Sequence, residues 1–407
     1  MAVSAAYAQS TEYTGSITSV APRTAMQGKL ATRTEVIVDR QESAMITQGS
    51  ITALENAIQM YEEIVAGGGW PQITAGKLEK GKKNPRVVIL RQRLVTEAYL
   101  PFDELSIAAP EMFDASVADA LKTFQTNHGI ASSGKVDERT RAELNITAEA
   151  RLQTLRENYP RVGAYLEGLG ERNILVNIPS AQLETVESGK VFSRHNVVAG
   201  KLERPTPSLM SIVSDIVFNP YWNAPASIVE RDLVPKYLKD PTYFQKLHMR
   251  IFDGKDGPEV DPATVDWMST APDRYVFRQD PGDDNALATM KINFANKFMV
   301  YMHDTPHREL FATNARYDSS GCVRVDQVKV VVDWILQGQD GIDATNIEMI
   351  TASQENSEVK VANPPDVRFM YLTAWATEDG RVNFRPDIYR LDGTGFVLGQ
   401  PEPADGI

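Results

Sequence analysis

Near residue 170 the apolar residues of this 407-residue chain change their spacing, and one architecture cannot serve both halves. Before that point they recur every three or four positions. Ile51, Leu54, Ile58, Tyr61 and Val65 fall on one helical face, closed by Gly67-Gly68-Gly69 and a loop at Trp70-Pro71. Val88, Leu90 and Leu94 predict a second helix, Val117, Leu121 and Phe124 a third, and Thr140 to Leu144 a fourth, with turns at Gly129 and Ser133-Gly134. A linking helix follows near 148–168. Beyond it come short β-prone runs at 174–178, 182–186, 191–198, 211–218, 275–279, 297–302 and 321–325. The expected class is therefore α+β and multidomain: helical units first, then a mostly β domain.

Helical segments return at 225–270, an insertion placed to act as a lid. A helix over Asp326 to Gln337 is expected, with Asp326 as N-cap. The acidic group Asp253, Asp256, Glu259 and Asp261 lacks the full spacing of a calcium loop and reads as a solvated loop.

Charge narrows the partners. With 54 acidic and 42 basic residues the net charge is −12, which disfavours nucleic acid. No apolar run approaches the roughly twenty residues of a membrane helix. Ala5-Ala6-Tyr7-Ala8-Gln9-Ser10 is similar to the end of a secretory signal peptide, without the charged and apolar parts that normally precede it.

The chain has one cysteine, Cys322, so no disulfide forms within it. It sits in Ser319-Ser320-Gly321-Cys322-Val323-Arg324, nineteen positions after His303. A lone thiol is commonly a small buried hydrophobe. Here the small residues before it allow close approach of a ligand, and Arg324 follows on the same side of an extended chain, able to pair with a carboxylate. That pattern suits a nucleophile. A thiol attacks as thiolate, which requires a base within reach. His303 ends the run Lys297 to Met302 and is expected at a strand end, facing a cleft. His307 lies beyond Pro306 and reads as a loop residue; the pair lacks the glutamate of a zinc-protease helix, so no metal is expected. His128 reads as a helix end closed by Gly129, and His195 and His248 as structural. The backbone N–H groups of Gly321 and Cys322 are the natural oxyanion donors. Tyr301, two residues before His303, shares its strand face and either lines the site or packs in the core.

His303-Asp304-Thr305, a spacer, and Ser319-Ser320-Gly321-Cys322-Val323-Arg324 resemble the signature of L,D-transpeptidases with a YkuD-type catalytic domain. Ser320 replaces the usual histidine and Asp304 a common glycine, two departures that occur together in the YcbB-like branch of Gram-negative bacteria. Phe218-Asn219-Pro220-Tyr221-Trp222-Asn223, Phe277 to Gly282 and Phe384 to Tyr389 resemble the same branch. The segment Ala118 to Gln125, with Gly129-Ile130, Gly134 to Asp137 and Thr140, resembles the three-helix peptidoglycan-binding module.

The resemblance implies a leader over 1–45, helical scaffold over 46–84 and 147–168, the module over 85–146, the catalytic domain over 169–390 and a tail over 391–407. It implies a thioester acyl-enzyme on Cys322 with His303 as base, release of D-alanine from a tetrapeptide donor, and attack by a diaminopimelate amine to form a 3-3 crosslink. Water or a lipoprotein lysine as acceptor, or an idle cell-wall scaffold, are the alternatives. Arg324, Ser319, Ser320, Trp222 and Asn219 are implied cleft residues, no cofactor is expected, carbapenems are implied inhibitors, and the implied location is the periplasm.

Overall fold

The computed structural model describes residues 30–37, 41–105, 107–267 and 272–401; the signal-like stretch lies outside them. The helical half contains α1 (Ser50–Ala66), α2 (Arg86–Thr96), α3 (Ala115–Asn127), α4 (Glu138–Leu144) and α5 (Ala148–Leu166). Their starts follow from local chemistry. Asp114, Asp137 and Thr147 each accept a backbone N–H at the head of α3, α4 and α5, a cap worth about 1 kcal/mol. On α2 the buried apolar stripe is Val87, Leu90 and Leu94, with Val87 in place of the expected Val88, which is only partly buried.

The module's own core joins Leu90, Leu94, Val117, Leu121, Phe124 and Leu144. It begins earlier than residue 85: Ile73 and Leu78 belong to it. Helices α1 and α5 instead pack on the sheet, so the expected scaffold segment divides near Trp70, whose indole N–H bonds Ile146 O at 2.9 Å.

The strands are β1 (Glu35–Val36), β2 (Arg172–Asn177), β3 (Gln182–Glu187), β4 (Lys190–Gly200), β5 (Leu209–Phe218), β6 (Trp222–Asn223), β7 (Met249–Asp253), β8 (Tyr275–Gln279), β9 (Met290–Phe294), β10 (Met302–His303), β11 (Tyr317–Ser319), β12 (Val323–Val325), β13 (Ser357–Lys360) and β14 (Asp366–Met370), with a hairpin of β15 (Ala374–Ala376) and β16 (Val382–Phe384). The order β4-β12-β10-β9-β5-β14-β2-β3 returns to β4, so these strands close on themselves. Two long strands make the corners. β4 pairs with β3 over residues 190–196 and with β12 at Val197 and Val198, while β5 passes from β14 to β9 at Val213. Inside lie Ile174, Val176, Leu183, Ile216, Ile292, Met302, Val323, Val325, Phe369 and helix Val328–Leu336. The alternate residues Leu175, Val186 and Met370 face α1 and α5. Burial on both faces explains why β2 is a continuous apolar run. A bulge at Phe192 shifts the alternation of β4, sending Val191 outward and Val197 inward.

Several expectations need correction. The run 297–302 is a strand only at Met302: Met299 has φ +56° and is exposed, and the strand that pairs there is β9. Strand β8 belongs to the insertion, where it pairs with β6 and β7. That unit has its own aromatic core of Tyr237, Phe244, Trp267 and Phe277, so it spans Trp222 to Gln279 rather than 225–270. Asp326 caps no helix. Gln327, with φ +50°, precedes it without a side-chain cap, and Asp326 accepts from Thr34 Oγ1 at 2.8 Å. Part of the leader is held: β1 pairs with β4, and Arg194 bonds Glu35, Glu42 and Glu184 at 2.9–3.0 Å. The start of the tail is tied by Arg161, which bonds Asp392 at 2.6 Å and Leu391 O at 2.9 Å.

The module docks on the C-terminal stretch. The His128 ring stacks between Phe124 and Phe384, at 3.8 and 5.3 Å, and Arg385 Nη1 donates to Asn127 O at 2.8 Å. Gly129, at φ +61°, lets Arg385 pass; a Cβ there would lie 2.7 Å from its Cδ. Within the sheet, the His195 ring is buried with Nδ1 on Asp326 O and Nε2 on Ser193 Oγ, both at 2.8 Å. Burial lowers its pKa from 6.5 to about 4. The folded state resists the proton that the unfolded chain accepts near 6.5, so this contribution is complete above that pH and is lost as pH falls toward 4. Denaturant midpoints should fall between pH 6.5 and 4.5, with His195 accounting for about 3 kcal/mol across its full range. A His195→Gln variant should show a shallower dependence; an identical slope refutes the assignment.

Candidate active site

Parallel pairing of β10 with β12 sets Met302 beside Val323 and His303 beside Arg324. The antiparallel neighbour β9 sets Lys291 beside His303. Paired residues share a face, so Met302, Val323 and Ile292 enter the core, while Lys291, Tyr301, His303, Cys322 and Arg324 crowd the other side. The rings of Tyr301 and His303 are 5.6 Å apart, and Lys291 Nζ lies 4.2 Å from the centre of the Tyr301 ring.

Tyr301 neighbours the thiol: burial and then Cys322 raise its phenol, while Trp222 of the insertion acts on it in the opposite sense. Trp222, on the insertion's β6, thereby roofs the site. His303 stands two residues beyond Tyr301 on the same strand face, and the parallel register sets it diagonal to Cys322. Its Nδ1 lies 2.5 Å from the Asp304 carbonyl oxygen. A carbonyl only accepts, so Nδ1 carries the hydrogen and Nε2 keeps a free lone pair.

Asp304 is itself fixed: its carboxylate accepts from Thr289 Oγ1 at 2.7 Å and from Arg308 Nη2 at 3.0 Å on both oxygens. No periodicity marks Asp304 or Thr289 as supports. Lys291 was missed for a related reason: it carries no motif, and its place depends on β9 pairing with a strand that the sequence extends too far.

The cysteine turn is stitched by Ser319. Its Oγ donates to Cys322 O at 2.5 Å and accepts from Gly321 N–H at 3.2 Å. The Gly321 N–H is thus engaged, and the Cys322 N–H is the one left without a partner among the described residues. Gly321 has φ +112°, which disfavours any side chain. Ser320 accepts from Arg204 Nη1 at 2.9 Å, and Arg204 also grips Asp232 of the insertion at 2.5 and 3.0 Å. One guanidinium therefore joins the insertion to the turn. Asn219 is not brought into the cleft. Its amide donates to Ile350 O and Glu355 O at 2.8 and 3.1 Å, anchoring the end of β5. His248 and His307 are exposed on loops.

Burial and charge set the protonation states. Burial, then the Arg324 and Lys291 charges, hold His303 down to about 3. Burial pushes the Cys322 thiol up, against hydrogen bonds from Tyr301 and the pull of Lys291 and Arg324. Burial lowers Lys291 and Arg324 as well, and among the described residues neither reaches a carboxylate at ion-pair distance. The resting pair is neutral thiol and neutral imidazole, so the proton leaves as the sulfur attacks rather than beforehand. Among the described residues no cluster of histidine, cysteine or acidic groups is arranged to hold a metal ion.

Alkylation of Cys322 should accordingly be slow near neutral pH and rise through an inflection above the usual thiol value. Lys291→Met removes a favourable charge and should move that inflection higher, cutting the rate at pH 8 about 3- to 10-fold. An inflection below 7 in a pH series of iodoacetamide rates overturns the neutral-pair reading.

Residues 171–348 match the family described as "L,D-transpeptidase catalytic domain" (YkuD), and residues 83–144 match the "Putative peptidoglycan binding domain". A Haemophilus influenzae protein described as "Putative L,D-transpeptidase" is 36% identical over 220 residues, 54% of this chain and 44% of that protein. The match thus spans less than half of that relative's length. A solved L,D-transpeptidase from Xylanimonas cellulosilytica aligns at 14% identity and TM-score 0.22, covering 73% of this chain and 98% of that one. One from Stackebrandtia nassauensis aligns at 13% and 0.25, covering 74% and 96%. Alignments at that level say nothing of residue roles. The family matches rest on the two domains themselves, and the chain carries a YkuD-family L,D-transpeptidase catalytic domain over residues 171–348, preceded by a peptidoglycan-binding-type domain over residues 83–144.

Proposed function

We propose that this chain is a cysteine-dependent L,D-transpeptidase that joins peptidoglycan stem peptides by 3-3 crosslinks outside the cytoplasm. The observation that carries this reading is the polar face of β9, β10 and β12: a thiol, an imidazole with a free Nε2, and two cations that have no carboxylate partner among the described residues.

Cys322 Sγ attacks the carbonyl carbon between diaminopimelate and the terminal D-alanine, and its proton passes to His303 Nε2. The Cys322 N–H donates to the oxyanion; the Gly321 N–H joins it if it leaves Ser319. Loss of one such donor costs about 3–4 kcal/mol in the transition state. The C–N bond breaks, His303 returns the proton to the leaving amine, and a thioester remains. The side-chain amine of a second stem attacks the thioester, gives its proton to His303, and releases the thiol. Stem peptides carry several carboxylates, which suits Arg324 and Lys291 as anchors. Tyr301 and Trp222 line the donor side, while Ser319 and Ser320 hold the turn rather than the substrate.

Incubation with purified disaccharide-tetrapeptide should give a dimer lighter by one D-alanine, read by mass spectrometry. Tripeptide with free D-alanine and no dimer assigns water as the acceptor. An unchanged substrate with an intact thiol refutes the enzyme reading in favour of a wall-binding scaffold. Cys322→Ser should keep the fold and lose at least 100-fold in turnover, because a hydroxyl is the poorer nucleophile. Intact mass should show a carbapenem adduct on the native protein and none on Cys322→Ala.

A further inference from the structure

A second cleft, of about 540 Å³, does not include Cys322. It lies where the helical module meets the catalytic sheet. Gly129 and Arg139 come from the module, Arg316 and Tyr317 from the approach to β11, and Arg385 from the C-terminal stretch. Such a volume suits a short peptide. Among the described residues no aspartate or glutamate lines it.

Three guanidiniums line it beside the Tyr317 ring, those of Arg139, Arg316 and Arg385. Among the described residues none of the three forms an ion pair. Arg316 is 2% exposed, and its N–H groups go to the carbonyl oxygens of Val197, Thr313 and Ala181 and to the Thr32 hydroxyl. Arg385 donates to Asn127 O and Phe384 O, and its Nε is buried without a partner. Arg139 is exposed. Glu143 and Asp326, the acids whose charge reaches Arg385 and Arg316, are engaged elsewhere: Glu143 bonds Arg151 at 2.6 Å, and Asp326 accepts from Thr34.

Cations held in a pocket that no described acid lines, in a chain with net charge −12, are costly unless an anion completes them. We infer that this junction cleft binds a carboxylate-bearing stem peptide, with Arg139 at the mouth and Arg385 within. The identification of the peptide rests on the transpeptidase reading; the anion site does not. Glycan is neutral, whereas stems are acidic, so an arginine cluster selects the stem. Because β11 runs from Tyr317 to Ser319, one strand lines this cleft at one end and leads into the thiol turn at the other. The site needs both domains, since Arg139 belongs to the module and Arg316 to the catalytic unit.

Calorimetry of the full chain carrying Cys322→Ala, titrated with free stem tetrapeptide, tests this. Two sites are expected. Arg139→Glu should weaken one at least 10-fold, and Arg324→Met should weaken the other. With Cys322 restored, Arg139→Glu should still release D-alanine from soluble disaccharide-tetrapeptide at the native rate. A titration unchanged by Arg139→Glu overturns the proposal. So does a site there that takes inorganic phosphate and refuses tetrapeptide. If the native protein releases no D-alanine, the transpeptidase reading fails alone, because binding stoichiometry is measured without turnover.

Discussion

Two residues of parallel pairing, Met302 with Val323 and His303 with Arg324, organise this molecule. Because side chains alternate across a strand, that register sends methionine and valine into the core and imidazole and guanidinium out of it. The apolar contacts that stabilise the closed sheet are thus the same contacts that aim the side chains proposed as catalytic. Slipping the register by one residue would bury Arg324 and expose Val323 together, so packing enforces the geometry of the site. The corner strands β4 and β5 supply the frame within which so short a pair is held.

The site has an electrostatic character that follows from its position. It is polar on one face, but roofed by Trp222 and walled by the sheet, so burial governs it more than any single charge. Burial acts in the same sense on thiol and imidazole: each is kept neutral. Lys291 and Arg324 then favour a thiolate and disfavour an imidazolium, so they do not prepay the proton transfer. Their remaining use is to hold something negative, which is what the proposed substrate carries.

Much of this was legible in the sequence, and the illegible parts share a cause. The helices of the module follow from spacing and turn residues, and Cys322, His303 and Arg324 stand out as candidates by residue type and interval. Lys291 was not legible, because its role is conferred by a strand pairing 12 residues away from His303, and an isolated lysine has no local signature. Asn219 was misplaced for the converse reason: a family-like neighbourhood says nothing of which carbonyls consume its amide. The run 297–302 read as one strand because it is apolar, yet Met299 turns at φ +56° and faces outward. Strand β8 was assigned to the wrong sheet, since period-2 patterning reports burial and not the partner.

Arg204 touches Asp232 on the insertion and Ser320 on the cysteine turn with one side chain. Displacing the insertion from the turn would break that grip and release the hydrogen bond that holds Ser320 next to Cys322. The position of the insertion and the order of the cysteine turn are therefore coupled through one guanidinium.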